Sequence, residues 1–182
     1  MKCLRVDPIK KEVQSIDIQM QANTVYSFFN SILIDEMPSI KEHIIYADGN
    51  ALSEGKTPYF IGEQLVLGDA LIVGVDEMMA ERDVTIPQAD LEAIINYEVP
   101  TFYKDVLSMV QKSDLNLYRA FEVQKDGQPL MLNAEWVLYT FEIANEATRN
   151  YFKEQLQQTL KEGGDVAEFF KKMAQLAVNA SS

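Results

Sequence analysis

The apolar run LVLGDALIVGV, residues 65–75, is the strongest indication of the fold. Its core, Leu71-Ile72-Val73, has no polar residue between apolar ones, which is typical of a strand buried on both faces. Gly68-Asp69 interrupts the apolar run and predicts a tight turn or a β-bulge. We therefore predict a buried central strand here, with the N-terminal half of the chain built around it.

Shorter apolar runs upstream predict the other strands of this half. They are Cys3–Val6, stopped by Asp7-Pro8; Ile16–Met20, which alternates with period two; His43–Ala47, which leads into the turn Asp48-Gly49-Asn50; and Tyr59–Ile61. Between them, apolar residues recur at helical spacing over Thr24–Ile34. With Asn23 as the cap, this pattern predicts an amphipathic helix that ends before Pro38.

The second half reads mainly as helices. Pro87, with Thr85 as the cap, and Pro100 each suit a first helical turn. Asn145 predicts the start of a helix that runs to about Lys161, before Gly163-Gly164. Asp165 then caps a final helix.

One segment of this half, Leu130–Ile143, fits two structures. Asp126-Gly127 between two apolar runs is a hairpin signal, and Trp136–Phe141 is rich in strand formers. The apolar residues of the same segment also fit one face of a helix. We favour the hairpin and leave the helix as the alternative.

These elements predict an α+β fold: a mixed, mainly antiparallel N-terminal sheet with one packed helix, then a mostly helical C-terminal half. The length of 182 residues suits a single domain, residues 1–182. A subdivision would separate an α+β part, residues 1–76, from a helix-rich part, residues 84–182.

Charge and cysteine content limit the classes of function. The 28 acidic and 16 basic residues leave a net charge of −12, which repels nucleic acid and anionic membranes. We therefore expect no direct nucleic-acid or membrane binding. The single cysteine forms no internal disulfide, and the N-terminus has no apolar core of the kind that signal peptides carry. We expect a cytoplasmic protein.

The residues that usually carry catalysis are scarce. His43 is the only histidine, which excludes paired-histidine metal sites and makes a serine triad improbable on composition alone. We interpret His43 as a strand-end residue bonded to backbone, and Cys3 as a small core residue. Gly62, Gly68 and Gly74 match no phosphate-binding loop. The sequence predicts no catalytic residue and no cofactor.

Acidic residues are concentrated between Gly62 and Glu98, where nine acids face one base, Arg82. Four of them are candidate ligands for a hard cation, although their spacing fits no calcium loop: Asp76, Glu77, Glu81 and Asp83. Six are candidates for an interaction surface: Glu63, Asp69, Asp76, Glu77, Glu81 and Asp83.

Three segments carry a resemblance to a known family. The opening MKCLRVDPIKKEV, the turn Ala47–Leu52 and the run Gly62–Gly74 resemble a family of small uncharacterised bacterial and phage-associated proteins. The resemblance covers roughly the first 80 residues. It implies a phage or mobile-element context, and it brings no catalytic residue with it.

Three functional hypotheses follow. The first is a non-catalytic interaction protein whose acidic docking surface binds a basic or nucleic-acid-binding protein. The alternative is a small-molecule-binding protein, or an enzyme that uses carboxylates and a metal ion. A third hypothesis is a homodimer formed through apolar helix faces of the second half.

Overall fold

A computed structural model describes residues 1–19 and 23–181, except the side chains of Pro38 and Ser39. The chain forms two compact units, Met1–Val99 and Pro100–Ser182. The first contains antiparallel sheets and the second is mainly helical, so the predicted α+β class with a helical C-terminal half is confirmed. The division falls between Val99 and Pro100, whereas the sequence suggested a boundary at residues 77–83.

The elements of the first unit alternate strands with two short helices. They are β1 (Lys2–Asp7), β2 (Glu12–Asp17), α1 (Thr24–Phe29), β3 (Ile34–Ile40), β4 (His43–Asp48), β5 (Pro58–Ile61), β6 (Gln64–Leu67), β7 (Ala70–Val75), β8 (Glu81–Arg82), α2 (Gln88–Ile94) and β9 (Ile95–Asn96). One antiparallel sheet has the order β2-β1-β7-β4-β3, with β8 beside β7. The other has the order β6-β5-β9.

The predicted central strand is confirmed. Every residue of β7 is buried, because β1 and β4 pair with it from both sides and both of its faces are covered. Gly74 is required here, since a Cβ would lie 2.4 Å from the backbone oxygen of Asp83. Gly68, which separates β6 from β7, has a φ of +72°, a conformation that glycine adopts readily.

The predicted helix over Thr24–Ile34 is wrong in its second half. Helix α1 ends at Phe29, Asn30 adopts a left-handed conformation, and Ile34 begins β3. Ile32 and Leu33 are exposed between the two elements, and Ile34 pairs with Asp48 of β4 in the edge strand. Asn23 precedes the helix, but its side chain makes no capping hydrogen bond. Met20, the last residue of the predicted strand Ile16–Met20, lies outside the described residues.

The second unit packs four helices with one hairpin. Its elements are α3 (Thr101–Val110), β10 (Phe121–Lys125), β11 (Gln128–Leu132), α4 (Ala134–Glu142), α5 (Glu146–Lys161) and α6 (Val166–Ala180). Asn145 and Asp165 cap α5 and α6 as predicted, accepting hydrogen bonds from the backbone amides of Thr148 and Glu168. Phe152 is fully buried at the centre. Its ring centroid lies 4.7–5.7 Å from those of four rings: Phe102, Phe141, Phe169 and Phe170.

The two readings of Leu130–Ile143 are each right for part of the segment. The predicted hairpin forms around Asp126-Gly127 but ends at Leu132. The strand preference for Trp136–Phe141 is wrong, because these residues lie in α4. Asn133 starts the helix by accepting a hydrogen bond from the Trp136 amide at 2.9 Å. Burial at helical spacing outweighs the strand propensity of the individual residues.

Candidate functional site

An exposed turn joins β7 to β8 and continues to Asp83. We call residues 76–83 the acidic turn. All eight are exposed, although they directly follow the most buried strand of the sheet. The turn contains four of the predicted site residues, Asp76, Glu77, Glu81 and Asp83, and one base, Arg82.

The side chain of Asp76 organises this turn. One carboxylate oxygen accepts hydrogen bonds from the backbone amides of Met78 at 2.8 Å and Ala80 at 2.9 Å. Backbone hydrogen bonds from Asp76 to Ala80 and from Met79 to Asp76, both 3.0 Å, close the loop. Aspartate favours such local bonds to its own turn. The acidic turn therefore has a defined backbone conformation.

Two methionine side chains project from the tip of the acidic turn. Met78 is 88% exposed and Met79 is 56% exposed. Met79 has a φ of +62°, which is uncommon for a residue other than glycine. Two apolar side chains are thus held in solvent between carboxylates. No prediction from the sequence included these residues, although two consecutive methionines inside an acidic segment indicated an exposed apolar pair.

The other charged groups of the acidic turn connect it to the sheet. Glu81 accepts a hydrogen bond from the Tyr46 hydroxyl, and Asp83 accepts one from the Lys2 amide at 2.9 Å. Burial, followed by the hydrogen bond to Glu81 and its charge, raises the pKa of Tyr46. Arg82 pairs with Glu42 at 3.0 Å. Glu77 makes no such contact within the described residues.

Three of the four candidate metal ligands, Asp76, Glu81 and Asp83, therefore accept hydrogen bonds from different donors within the fold. Across residues 1–19 and 23–181, no group of three or more His, Cys, Asp or Glu side chains is placed to hold a metal ion. No observation in the structure favours the cation hypothesis for this turn.

The two remaining predicted interaction residues lie elsewhere in the first unit. Asp69 precedes β7, so the length of that strand, about 20 Å, separates it from Asp76. Its carboxylate is paired with Arg5, at 2.5 Å from Nη2. Glu63 lies in the turn between β5 and β6, which belong to the second sheet. The structure thus places four of the six residues together.

His43 connects β4 to the segment that follows the acidic turn. Its imidazole is 2% exposed, with Nδ1 at 2.6 Å from the Lys41 carbonyl oxygen. On the other side, Nε2 accepts hydrogen bonds from the backbone amides of Thr85 at 3.0 Å and Ile86 at 3.2 Å. The ring therefore joins two backbone segments, which agrees with the predicted strand-end residue bonded to backbone.

The single cysteine is not activated. Cys3 is fully buried in β1, and burial is the main cause that raises the pKa of its thiol to about 11. A nucleophilic cysteine needs a lowered pKa and exposure. The interpretation of Cys3 as a core residue agrees with this environment.

A buried ion pair lies at the opposite end of β4. Asp48 is 3% exposed and pairs with Lys56, whose ammonium also lies 3.0 Å from Glu54. Burial alone would raise the pKa of Asp48. Hydrogen bonds from Lys56, from Ser31 and from the Asn50 amide outweigh it, and they lower that pKa. The sequence predicted a turn at Asp48 but contained no signal for its partner.

The second unit contains a polar groove of about 380 Å³ between α3 and α5. Its cation, Lys153, is paired with Asp105 at 3.1 Å. The groove is open, and beside this pair its lining contains Glu154, which leaves a net charge of −1 and indicates no particular ligand.

Charge is distributed unevenly between the units. Met1–Val99 contains 17 acidic and 7 basic residues, a net charge of −10, while Pro100–Ser182 contains 11 and 9, a net charge of −2. The acidic turn therefore belongs to the unit that carries most of the negative charge.

Comparison of the chain with protein-family models, with curated proteins and with solved structures finds no match. Among the helices of the described residues, none is long and apolar enough to span a bilayer.

Proposed function

We propose that this chain is a non-catalytic interaction protein that binds a basic partner through the acidic turn. The observation that carries the proposal is the exposed pair Met78 and Met79, held by a hydrogen-bonded turn and surrounded by carboxylates. Methionine side chains are apolar and flexible, and they suit contact surfaces that adapt to a partner. The carboxylates around them favour a positively charged partner surface.

The net charge of the first unit supports the same proposal. A net charge of −10 over 99 residues attracts a basic protein at long range and accelerates association at low ionic strength. Proteins that bind nucleic acid present such basic surfaces, so they are the partner class that we propose. The same field disfavours direct contact with nucleic acid or anionic membranes. The cytoplasmic location and the phage-associated context, inferred from sequence, belong to this proposal.

A capture experiment with matched variants tests the proposal. The purified chain is incubated with bacterial extract at low and high salt, cross-linked, and analysed by mass spectrometry. Met78→Ser and Glu77→Lys change the acidic turn. Met131→Ser, at a methionine 58% exposed in the second unit, and Glu63→Lys, at another exposed acid, are the controls.

We expect a partner of net positive charge that cross-links to residues 76–83 and is lost at high salt. Both acidic-turn variants should weaken its capture, and both control variants should retain it. Equal capture by all four variants would refute the proposed site. A salt-insensitive partner, or recovery of the chain's own copies alone, would refute the basic-partner function.

A further inference from the structure

We infer that the outer edge of β2 binds an extended segment of the basic partner as an additional strand. This inference rests on the proposed function, because it assigns part of the same partner to a second surface of the first unit. We call residues 14–18 the open edge.

The pairing of β2 with β1 shows which backbone groups face outward. Met1 and Ile18 exchange two hydrogen bonds, 2.8 and 2.9 Å long. Hydrogen-bonded pairs alternate along an antiparallel ladder, so the amides and carbonyls of Ser15 and Asp17 point away from β1. The side chain of Gln88 bonds to the Val13 carbonyl at 2.8 Å on this same outer side, which agrees with the alternation.

Side chains occupy the outer edge of β2 at both ends. The Gln88 side-chain amide donates a hydrogen bond to the Val13 carbonyl, and the Thr24 hydroxyl donates one to the Gln19 carbonyl at 2.7 Å. Between them, Ser15 and Asp17 are exposed, and their outward backbone groups bond to no other described residue. The gap is about five residues, or roughly 16 Å, long. It therefore fits a short extended segment.

The opposite edge of the same sheet is not equivalent. Edge strand β3 contains Pro38, which has no amide proton, and its register with β4 shifts between Met37 and Ile40. Proline and bulges are the features by which proteins block edge pairing. Residues 14–18 contain neither proline nor a register shift, so this edge retains the donors and acceptors that strand addition requires.

The side chains of the open edge favour a bound segment in which apolar and basic residues alternate. Ile16 and Ile18 are half-buried and pack against the cluster of Cys3, Phe29, Leu71 and Val73, so residues opposite them should be apolar. Ser15 and Asp17 project from the other face and are exposed. A basic residue opposite Asp17 would complement its charge.

The open edge and the acidic turn lie in the same unit, on opposite sides of β1. Asp17 pairs in register with Lys2, and the Lys2 amide donates to Asp83. The charges of Asp17, Glu81 and Asp83 all act on the nearby Cys3 thiol. A second copy of the chain is a poorer occupant, because its β2 carries Glu12 and Asp17 and each chain has a net charge of −12.

The test uses a synthetic peptide in which lysine and valine alternate, with a glutamate–valine peptide as its control. Binding to the full chain is followed by amide chemical shifts. Ser15→Pro removes an outward amide that the fold does not use, and proline is tolerated at such edge positions. Ser15→Thr keeps the amide and is the matched control. Equal thermal midpoints for the two variants would establish that both are folded.

We expect the lysine–valine peptide to shift and protect the Ser15 and Asp17 amides, and the glutamate–valine peptide to do neither. Ser15→Pro should weaken binding about tenfold, since one backbone hydrogen bond and its geometry are lost, and Ser15→Thr should bind normally. Equal binding by Ser15→Pro, or shifts confined to residues 76–83, would overturn strand addition. In either case the proposed function is tested independently, by whether Met78→Ser and Glu77→Lys weaken capture of the partner.

Discussion

Replacing His43 with alanine tests whether this residue holds the segment that follows the acidic turn. The imidazole bonds to the amides of Thr85 and Ile86 on one side and to the Lys41 carbonyl on the other. Nε2 therefore connects β4 to this segment, and Nδ1 holds the ring against the turn that precedes β4. Alanine removes all of these contacts and leaves a gap inside the first unit.

The cost follows from the groups left without partners. The Ile86 amide belongs to a residue that is 7% exposed, so water does not replace the lost acceptor easily. A buried amide without a partner costs about 1–3 kcal/mol, and each further hydrogen bond contributes about 1 kcal/mol. We expect His43→Ala to lower the free energy of unfolding of the first unit by about 3 kcal/mol.

Urea denaturation and amide hydrogen exchange provide the measurement. His43→Gln is the control, because its amide oxygen can take the position of Nε2 and accept from the same backbone amides. We expect it to lose less than half as much stability as His43→Ala. Exchange at Thr85 and Ile86 should accelerate in His43→Ala. A loss below about 1 kcal/mol, or unchanged exchange at Ile86, would contradict a structural role for the ring.

Three further substitutions test other parts of the structure. Phe152→Ala removes a fully buried ring in contact with four others, so urea denaturation should show a loss of about 3–5 kcal/mol from the second unit; a loss near 1 kcal/mol would contradict that packing. Burial raises the pKa of Cys3 from 9.0 to about 11, so the stability that its neutral thiol contributes is complete below pH 9 and is lost as the pH rises towards 11. The free energy of unfolding of Cys3→Ala should decline less steeply over this range. Identical pH profiles for the two proteins would refute the assignment. Asp48 has a lowered pKa, so its pair with Lys56 stabilises the fold at pH values above the usual carboxyl pKa, and this stabilisation is lost as the pH falls. Asp48→Asn should lower the melting temperature at pH 7 and make the melting temperature decline less steeply in acid. An unchanged dependence of the melting temperature on acid pH would count against the pair.

Much of the fold was predictable because the signals are local. The continuous apolar run of β7 implied burial on both faces, and the caps Asn145 and Asp165 marked the starts of α5 and α6. Asp126-Gly127 located the hairpin turn in the same way. Each of these features depends on neighbouring residues, so a single sequence is sufficient to find it.

The errors arose where distant partners decide the structure. The predicted helix extended to Ile34, but this residue pairs with Asp48 of β4 as the start of a strand. Residues 136–141 have strand propensity, but they form a helix because Val137, Leu138 and Phe141 are then buried in the core of the second unit. Propensity and periodicity cannot distinguish these outcomes, because the energy of burial against other elements exceeds the local preference.

The sequence alone was sufficient for the α+β class, the excess of acidic residues and the presence of a single histidine and a single cysteine. It also identified Asp76, Glu77, Glu81 and Asp83 as one acidic group. Only the tertiary structure separated Asp69 and Glu63 from that group, exposed Met78 and Met79 beside it, and left the edge of β2 open between two side chains. Composition is a property of the chain alone, whereas exposure and strand order depend on which distant segments pack together.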